Sequence, residues 1–474
     1  MDSVVYLPFR TINCFYVYDV NIHGTTQISD GAYHYLTLAR EGKDAPCNAD
    51  IQEEIDYLES KGYLHERVVK RIFHPQADDL HLYLSRGVGM CCLQLVQRCN
   101  LRCSYCNYTE NDGTQRLHSN RTMSIETAKK AVDFYHAHSI DTPRAHLSLY
   151  GGEVLLEFEL MREIIAYAKE KFRGKELTFG ITTNGTLLKG EVLDFVMQNE
   201  IRIVVSVDGP KEINDKNRFF SESKESVFDL VMDNLGCIQK TYPDFFSTMQ
   251  INSVIDPVHD FDDYIDFFEN SIVASMNKNG GIYDDIDHTE KVKTDEKYIS
   301  KITYHRFIGL LHMLDRYPGN YVKHLASTEV NDYTQKIAKL NSASKMSVST
   351  SGHPAGPCIP GVLRLFVGVD GDMYPCERVS ETAEHTKIGN VFDGFNIENA
   401  HNMLNVGKIT EEQCKSCWAF NLCGACVKHS MDKSGKLSES VRLERCHNIK
   451  HDAYTYLRIH ALKEEMSLYE PGGN

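Results

Sequence analysis

The 474 residues predict an α/β protein, a partial (β/α)6 TIM-like barrel with a small winged-helix-like module before it and a Cys-rich domain after it. Three observations predict it. Short apolar strand patterns alternate with helical ones from residue 87 to residue 283, and repeated strand–helix units with right-handed crossovers build a parallel sheet closed or nearly closed into a barrel. Residues 1–80 instead carry alternating apolar positions followed by two short amphipathic stretches. The last quarter crowds together Cys358, Cys376, Cys414, Cys417, Cys423, Cys426 and Cys446, as expected of a small domain organised by metal rather than by a core.

The elements follow in order. Phe15 to Val20 alternates, His23-Gly24 turns, and Thr26 to Ile28 returns, which reads as a hairpin. One helix runs from Asp30 as N-cap through Tyr33, Leu36 and Leu38; a second carries Ile51, Ile55 and Leu58 and ends at Gly62. Pro75 to Arg86 is polar and reads as a linker. Strands are then expected at Cys91–Val96, His146–Tyr150, Leu177–Ile181, Ile201–Val207 and Met249–Ile255, with a sixth near Ile272–Met276. Between the first two lies a helix from Ser124, and Met161, Ile164, Ile165 and Ala168 mark the next at helical spacing. Residues 284–350 are charged and mostly helical, a bridge to the Cys-rich domain at 351–452, with 453–474 as a C-terminal helix or tail.

Composition excludes several classes of function. Against 51 Lys and Arg stand 66 Asp and Glu, a net charge of −15 that disfavours binding to phosphate backbones or anionic membranes. No apolar stretch has the length of a membrane span and no basic-then-apolar leader opens the chain, so the expected location is the cytoplasm, with neither nucleic acid nor membrane as partner. In a reducing compartment clustered cysteines are metal ligands more often than disulfides. Cys14, Cys47, Cys91, Cys92 and Cys237 are scattered and read as small buried hydrophobes.

Directly after the first barrel strand comes Cys99-x3-Cys103-x2-Cys106. Three thiolates hold three irons of a four-iron, four-sulfur cluster and leave the fourth open to substrate. A zinc site borrowing a distant ligand is the bland alternative, but this spacing is not a paired zinc knuckle. The run resembles the signature loop of radical S-adenosylmethionine (SAM) enzymes, in which the methionine amino and carboxylate groups chelate the open iron and one electron cleaves the sulfonium to a 5'-deoxyadenosyl radical. Tyr150-Gly151-Gly152-Glu153 after the second strand resembles that family's GGE motif, with Val154 where Pro is usual. The resemblance implies SAM contacts from Tyr105 (ring and backbone to adenine), Gly151, Gly152, Glu153, Asn184, Ser206, Asp208 and Arg218, the last in a run similar to the family segment whose Arg pairs with the SAM carboxylate. For Asn184 and Asp208 an ordinary turn or cap role is the alternative.

The C-terminal pattern, Cys358-x12-Gly371-x4-Cys376 and then Cys414-x2-Cys417-x5-Cys423-x2-Cys426-x19-Cys446, resembles the SPASM extension of the same enzymes, with one residue fewer than usual between Cys423 and Cys426. Seven thiolates are too many for one cluster and one too few for two. The resemblance implies that Cys414, Cys417, Cys423 and Cys446 ligate one auxiliary [4Fe-4S] cluster fully. Cys358, Cys376 and Cys426 then hold a second with an open iron, making three clusters in all. A pair of structural zinc sites is the other reading of these cysteines. Glu377 stands near the position of a proton-accepting Asp in sulfatase-maturing relatives and is the candidate catalytic residue, with a solvated or hydrogen-bonded glutamate as the alternative.

The order of parts resembles the radical maturases of Cys-rich ribosomal peptides, the sactipeptide and ranthipeptide synthases. It implies a Cys-rich precursor whose leader segment docks on residues 1–80, a reducing partner such as flavodoxin or ferredoxin, and thioether crosslinks from Cys sulfur to an acceptor carbon. A carbon–carbon peptide cyclase, a sulfatase formylglycine-forming enzyme and a zinc-stabilised peptide scaffold are the alternatives.

Overall fold

The computed structural model describes residues 4–109, 113, 115–282, 294–314, 316–317, 349–354 and 358–467. At the N-terminus β1 (Tyr6–Arg10), β2 (Phe15–Asp19) and β3 (Gly24–Ile28) form an antiparallel sheet in the order β1-β2-β3. The expected hairpin is therefore the later part of a three-stranded meander. Pro8 hides β1 in the sequence, and β1 accommodates it by lying at the sheet edge, where a missing N–H costs no ladder bond. The helices Asp30–Arg40 and Ala49–Ser60 follow, capped by the side chains of Ser29 and Asn48; the first cap is thus Ser29 and not Asp30.

Both faces of this sheet are covered, as its period-two alternation dictates. Tyr6, Val17 and Ile28 meet Leu36, Ile55 and Leu58 of the two helices. Leu7, Phe9, Tyr16 and Tyr18 meet Trp418, Phe420, Ala453 and Leu457 of the Cys-rich end. Around the second contact Glu465 accepts hydrogen bonds from Thr11, Asn13 and Tyr16, and the Arg67 guanidinium stacks on Phe420.

The polar stretch expected as a linker contains the helix Leu80–Arg86, with Leu80 and Leu84 buried. The barrel strands are β5 (Met90–Val96), β6 (Arg144–Gly151), β7 (Glu176–Thr183), β8 (Arg202–Ser206), β9 (Gln250–Ile255) and β10 (Asn277–Ile282), each parallel to the next. The helices Ile125–His138, Phe158–Lys171, Gly190–Gln198, Val227–Thr241 and Phe261–Asn270 connect them. The sixth strand departs from expectation: Ile272–Ser275 is a 3-10 turn whose Val273 is fully buried, and the strand begins at Asn277. Core packing of a turn, not pairing, accounts for the apolar residues there. Of the expected bridge the described part is the helix Glu296–Met313; residues 283–293, 315 and 318–348 lie outside the described residues.

On the other side of β5 the sheet continues without a break. β12 (Leu365–Val367) lies parallel to β5, and β13 (Asp372–Tyr374), β14 (Gly389–Asn390) and β15 (Gly394–Phe395) add on antiparallel. The Cys-rich region is thus fused to the barrel core through fully buried Leu365 and Val367, whereas its composition suggested an independent metal-held unit. A two-residue pairing of β4 (Arg71–Ile72) with β11 (Ser351–Gly352) ties the N-terminal part to it. The last helix runs from Cys446 to Ser467, so the boundary expected at 452 falls inside one helix. Among the described residues no helix is long and apolar enough to cross a membrane.

At this junction His353 is buried, its Nδ1 bonded to the Pro354 carbonyl at 2.9 Å and its Nε2 accepting the Gly407 N–H at 2.8 Å. Both ring nitrogens are in use in the neutral form, and burial lowers the pKa to about 4. A histidine with a depressed folded pKa stabilises the fold above its unfolded value and loses that contribution as pH falls through the folded one. Stability is expected to drop by about 2 kcal/mol between pH 7 and pH 5 from this group, read as the difference in urea midpoints between the chain and His353→Gln.

Candidate active site and metal centres

The loop after β5 carries Cys99, Cys103 and Cys106 and is pinned from the far side of the barrel. Arg102 N–H donates to the Phe219 carbonyl and Ser104 N–H to the Asn217 carbonyl, each at 2.9 Å. The three thiols line a cavity of about 210 Å³ together with Gly151, Gly152, Asn184, Ser206, Tyr105 and Arg218. Residues from four successive strand ends thus meet at one place. Burial pushes the Cys99 thiol up to about 12 and that of Cys103 to about 11, so an apolar shell holds both protonated until a metal takes the proton's place. Among the described residues no three His, Cys, Asp or Glu side chains converge as ligands of one ion.

The glycine pair has a packing reason that its motif did not disclose. A Cβ on Gly151 would lie 2.5 Å from the Val96 carbonyl oxygen, and one on Gly152 2.3 Å from that of Arg98. Gly152 N–H and Glu153 N–H donate to these two carbonyls at 2.9 Å. The second strand end is therefore stitched directly onto the start of the cysteine loop, and only glycine permits the approach.

Two residues expected among the SAM contacts do not line the cavity. Glu153 is 1% exposed, and its carboxylate accepts from Leu155 N–H at 3.1 Å, Thr183 Oγ1 at 2.8 Å and Asn184 N–H at 2.8 Å, which locks the end of β7 to the glycine turn. Asp208 is buried as well, accepting from the Tyr105 hydroxyl at 2.6 Å and Val254 N–H at 3.0 Å, with Arg218 Nη1 3.6 Å away. Burial raises the Asp208 pKa, opposed by the Arg218 charge. Tyr105, expected to offer its ring to adenine, spends its hydroxyl on this Asp208–Arg218 pair. Arg218 lines the cavity, and its buried Nε has no hydrogen-bond partner among the described residues. An unsatisfied guanidinium nitrogen beside a thiol-lined cavity fits a ligand carboxylate. The sequence reading missed the cavity residues Asn252 of β9, Tyr108 and His118, and took Tyr150 only as the head of the glycine motif. Neither Asn252, one of several polar residues along β9, nor Tyr108 nor His118 carries a signal in the sequence.

The C-terminal thiols stand in two groups. Cys414, Cys417, Cys423 and Cys446 line a cavity of about 170 Å³ with Arg442 and Lys450. Arg442 is 2% exposed and donates to Thr410 Oγ1 at 3.1 Å and Ser430 Oγ at 2.9 Å. Its buried positive charge suits a site meant to hold anionic sulfur. Cys358, Cys376 and Cys426 lie within electrostatic reach of one another: burial raises the Cys358 thiol pKa and charges on Cys376 and Cys426 raise it further, with Cys358 itself exposed at the surface. Gly371 at φ +83° turns the β12–β13 hairpin that delivers Cys376, and a side chain there would strike Val391. At Cys426 burial acts to raise the thiol pKa, but the hydrogen bond and charge of His429 outweigh it and bring it down to about 7. Glu377, the candidate catalytic residue, is ion-paired with Arg364, with Oε2 buried and unpartnered among the described residues.

Residues 93–269 match the family model of the Radical SAM superfamily, and this span is a radical SAM domain, which implies SAM and a [4Fe-4S] cluster. Among related chains, an uncharacterized protein of Methanocaldococcus jannaschii is 28% identical over 333 residues, 70% of this chain and 96% of its own. The cysteine-type anaerobic sulfatase-maturating enzyme of Clostridium novyi is 22% identical over 364 residues, 71% of this chain and 87% of its own. The fold is that of native anSMEcpe solved with bound AdoMet and Cp18Cys peptide, at a TM-score of 0.56 and 17% identity over 80% of this chain and 99% of that one.

Proposed function

We propose that the chain is a radical SAM maturase that joins a cysteine sulfur to an acceptor-residue carbon, installing thioether crosslinks in a Cys-rich, ribosomally made precursor peptide. The grouping of the C-terminal thiols into four and three carries this reading, because a three-thiol cluster keeps an iron free for a substrate thiolate. When bound, SAM and the cluster of Cys99, Cys103 and Cys106 supply one-electron abstraction of a hydrogen atom from carbon. The protein's own residues do the positioning. Arg218 Nε takes the SAM carboxylate, Asp208 and Tyr105 hold Arg218 in place, and Glu153 with the glycine pair fixes the cavity wall. Among the described residues β3 has no partner on its outer edge, where the leader segment adds as a further strand. For the atoms and electrons to balance, the carbon would give up a hydrogen atom and the thiol a proton as the C–S bond forms, and a cluster held by Cys358, Cys376 and Cys426 would be the acceptor for the one electron left over.

Likeness to sulfatase-maturating enzymes favours a second reading, oxidation of a protein Cys or Ser to formylglycine. The Arg364 ion pair on Glu377 speaks against a free base at that position. Mass spectrometry after anaerobic incubation of a Cys-rich precursor with reduced enzyme and SAM, followed by reduction and thiol alkylation, tests both. Each crosslink is expected to remove two hydrogens and one alkylatable thiol; an aldehyde-bearing product would favour the second reading. Arg218→Lys keeps the charge beside Asp208 but removes the free Nε donor, and is expected to weaken SAM binding about tenfold by calorimetry, the worth of one charge-assisted hydrogen bond.

A further inference from the structure

The two groups of three thiols each have a histidine against one sulfur, and the two rings face it in opposite ways. At the first loop His118 Nδ1 lies 3.2 Å from the Gln97 carbonyl, which only accepts, so Nδ1 carries the proton and Nε2, 3.9 Å from Cys106 Sγ, is bare in the neutral ring. At the C-terminal group His429 Nδ1 lies 3.8 Å from Cys426 Sγ. The short turn Val427–Ser430 holds it there, His429 N–H and Ser430 Oγ both donating to the Cys426 carbonyl at 3.0 Å. A ligating thiolate only accepts, so the nitrogen facing it bears the proton, and a neutral ring suffices.

We propose that His429 Nδ1–H hydrogen-bonds the Cys426 thiolate and raises the reduction potential of the cluster held by Cys358, Cys376 and Cys426, making that centre the acceptor of the electron released on C–S bond formation. His429 is a positioning residue that acts through Cys426. The proposal rests on the reading that these three thiols hold a cluster. Hydrogen bonds to cluster sulfurs draw electron density from the irons and favour the reduced state.

The test is a redox titration, followed by electron paramagnetic resonance, of the full chain carrying Cys99→Ala, so that only the auxiliary clusters contribute. Iron, sulfide and zinc are measured first. With His429→Leu one of the two midpoints is expected to move to a more negative potential while the other stays, iron content is unchanged, and His429→Gln, which keeps an N–H donor, restores part of the shift. Two unmoved midpoints in both variants would overturn the proposal. Loss of about four irons per chain in His429→Leu would overturn it too, making His429 a ligand. Zinc in place of iron in the parent chain would instead overturn the cluster reading beneath it, and the metal analysis distinguishes that failure from the others.

Discussion

Cys99→Ala is expected to abolish reductive SAM cleavage, measured as deoxyadenosine released under dithionite, while any iron held by the proposed C-terminal clusters stays in place. Cys99 is one of only three thiols in its cavity, so its loss leaves two ligands for a cluster that already lacks a fourth. The C-terminal groups draw on other segments, which is why their iron is expected to survive. Retained cleavage would remove the first loop as the site of radical generation and return the zinc reading to it.

Gly152→Ala is the second large effect. An added methyl would sit 2.3 Å from the Arg98 carbonyl oxygen and 2.9 Å from Cys99 N, backbone atoms on a strand-anchored loop that cannot rotate away as a side chain can. Relieving the clash requires parting two peptide segments joined by hydrogen bonds at 2.9 Å. The expected cost is about 3 kcal/mol of stability, at the upper end for overpacking, read as a lowered urea midpoint, with a loss of first-loop iron out of proportion to it. Gly424→Ala, where an added Cβ meets nothing within 4 Å, is the control and is expected to leave both unchanged.

Much of the site was legible in advance because it is written locally. A cysteine loop, a glycine pair and an Arg after the fourth strand end each announce themselves within a few residues, and parallel strands bring their carboxyl ends to one rim. Glu153 and Asp208 stand near the rim, but their carboxylates accept hydrogen bonds from protein groups and do not line the cavity. Each belongs to a run that looks ligand-facing, yet whether a carboxylate meets ligand or braces backbone depends on which N–H groups the neighbouring strand offers it.

By itself the sequence determined the α/β class and the order of the barrel strands, and it supplied the candidate residues for metal and SAM, since hydrophobic period and short motifs are properties of neighbouring residues. Tertiary structure alone decided that β12 extends the barrel sheet, that the N-terminal sheet packs on the loop between Cys417 and Cys423, that one Arg218 nitrogen finds no partner among the described residues, and that His429 faces Cys426. Most of these are contacts between residues tens or hundreds of positions apart, and even His429 meets Cys426 only through the turn the surrounding fold imposes. Such contacts depend on which surfaces remain to be buried once the local elements have formed.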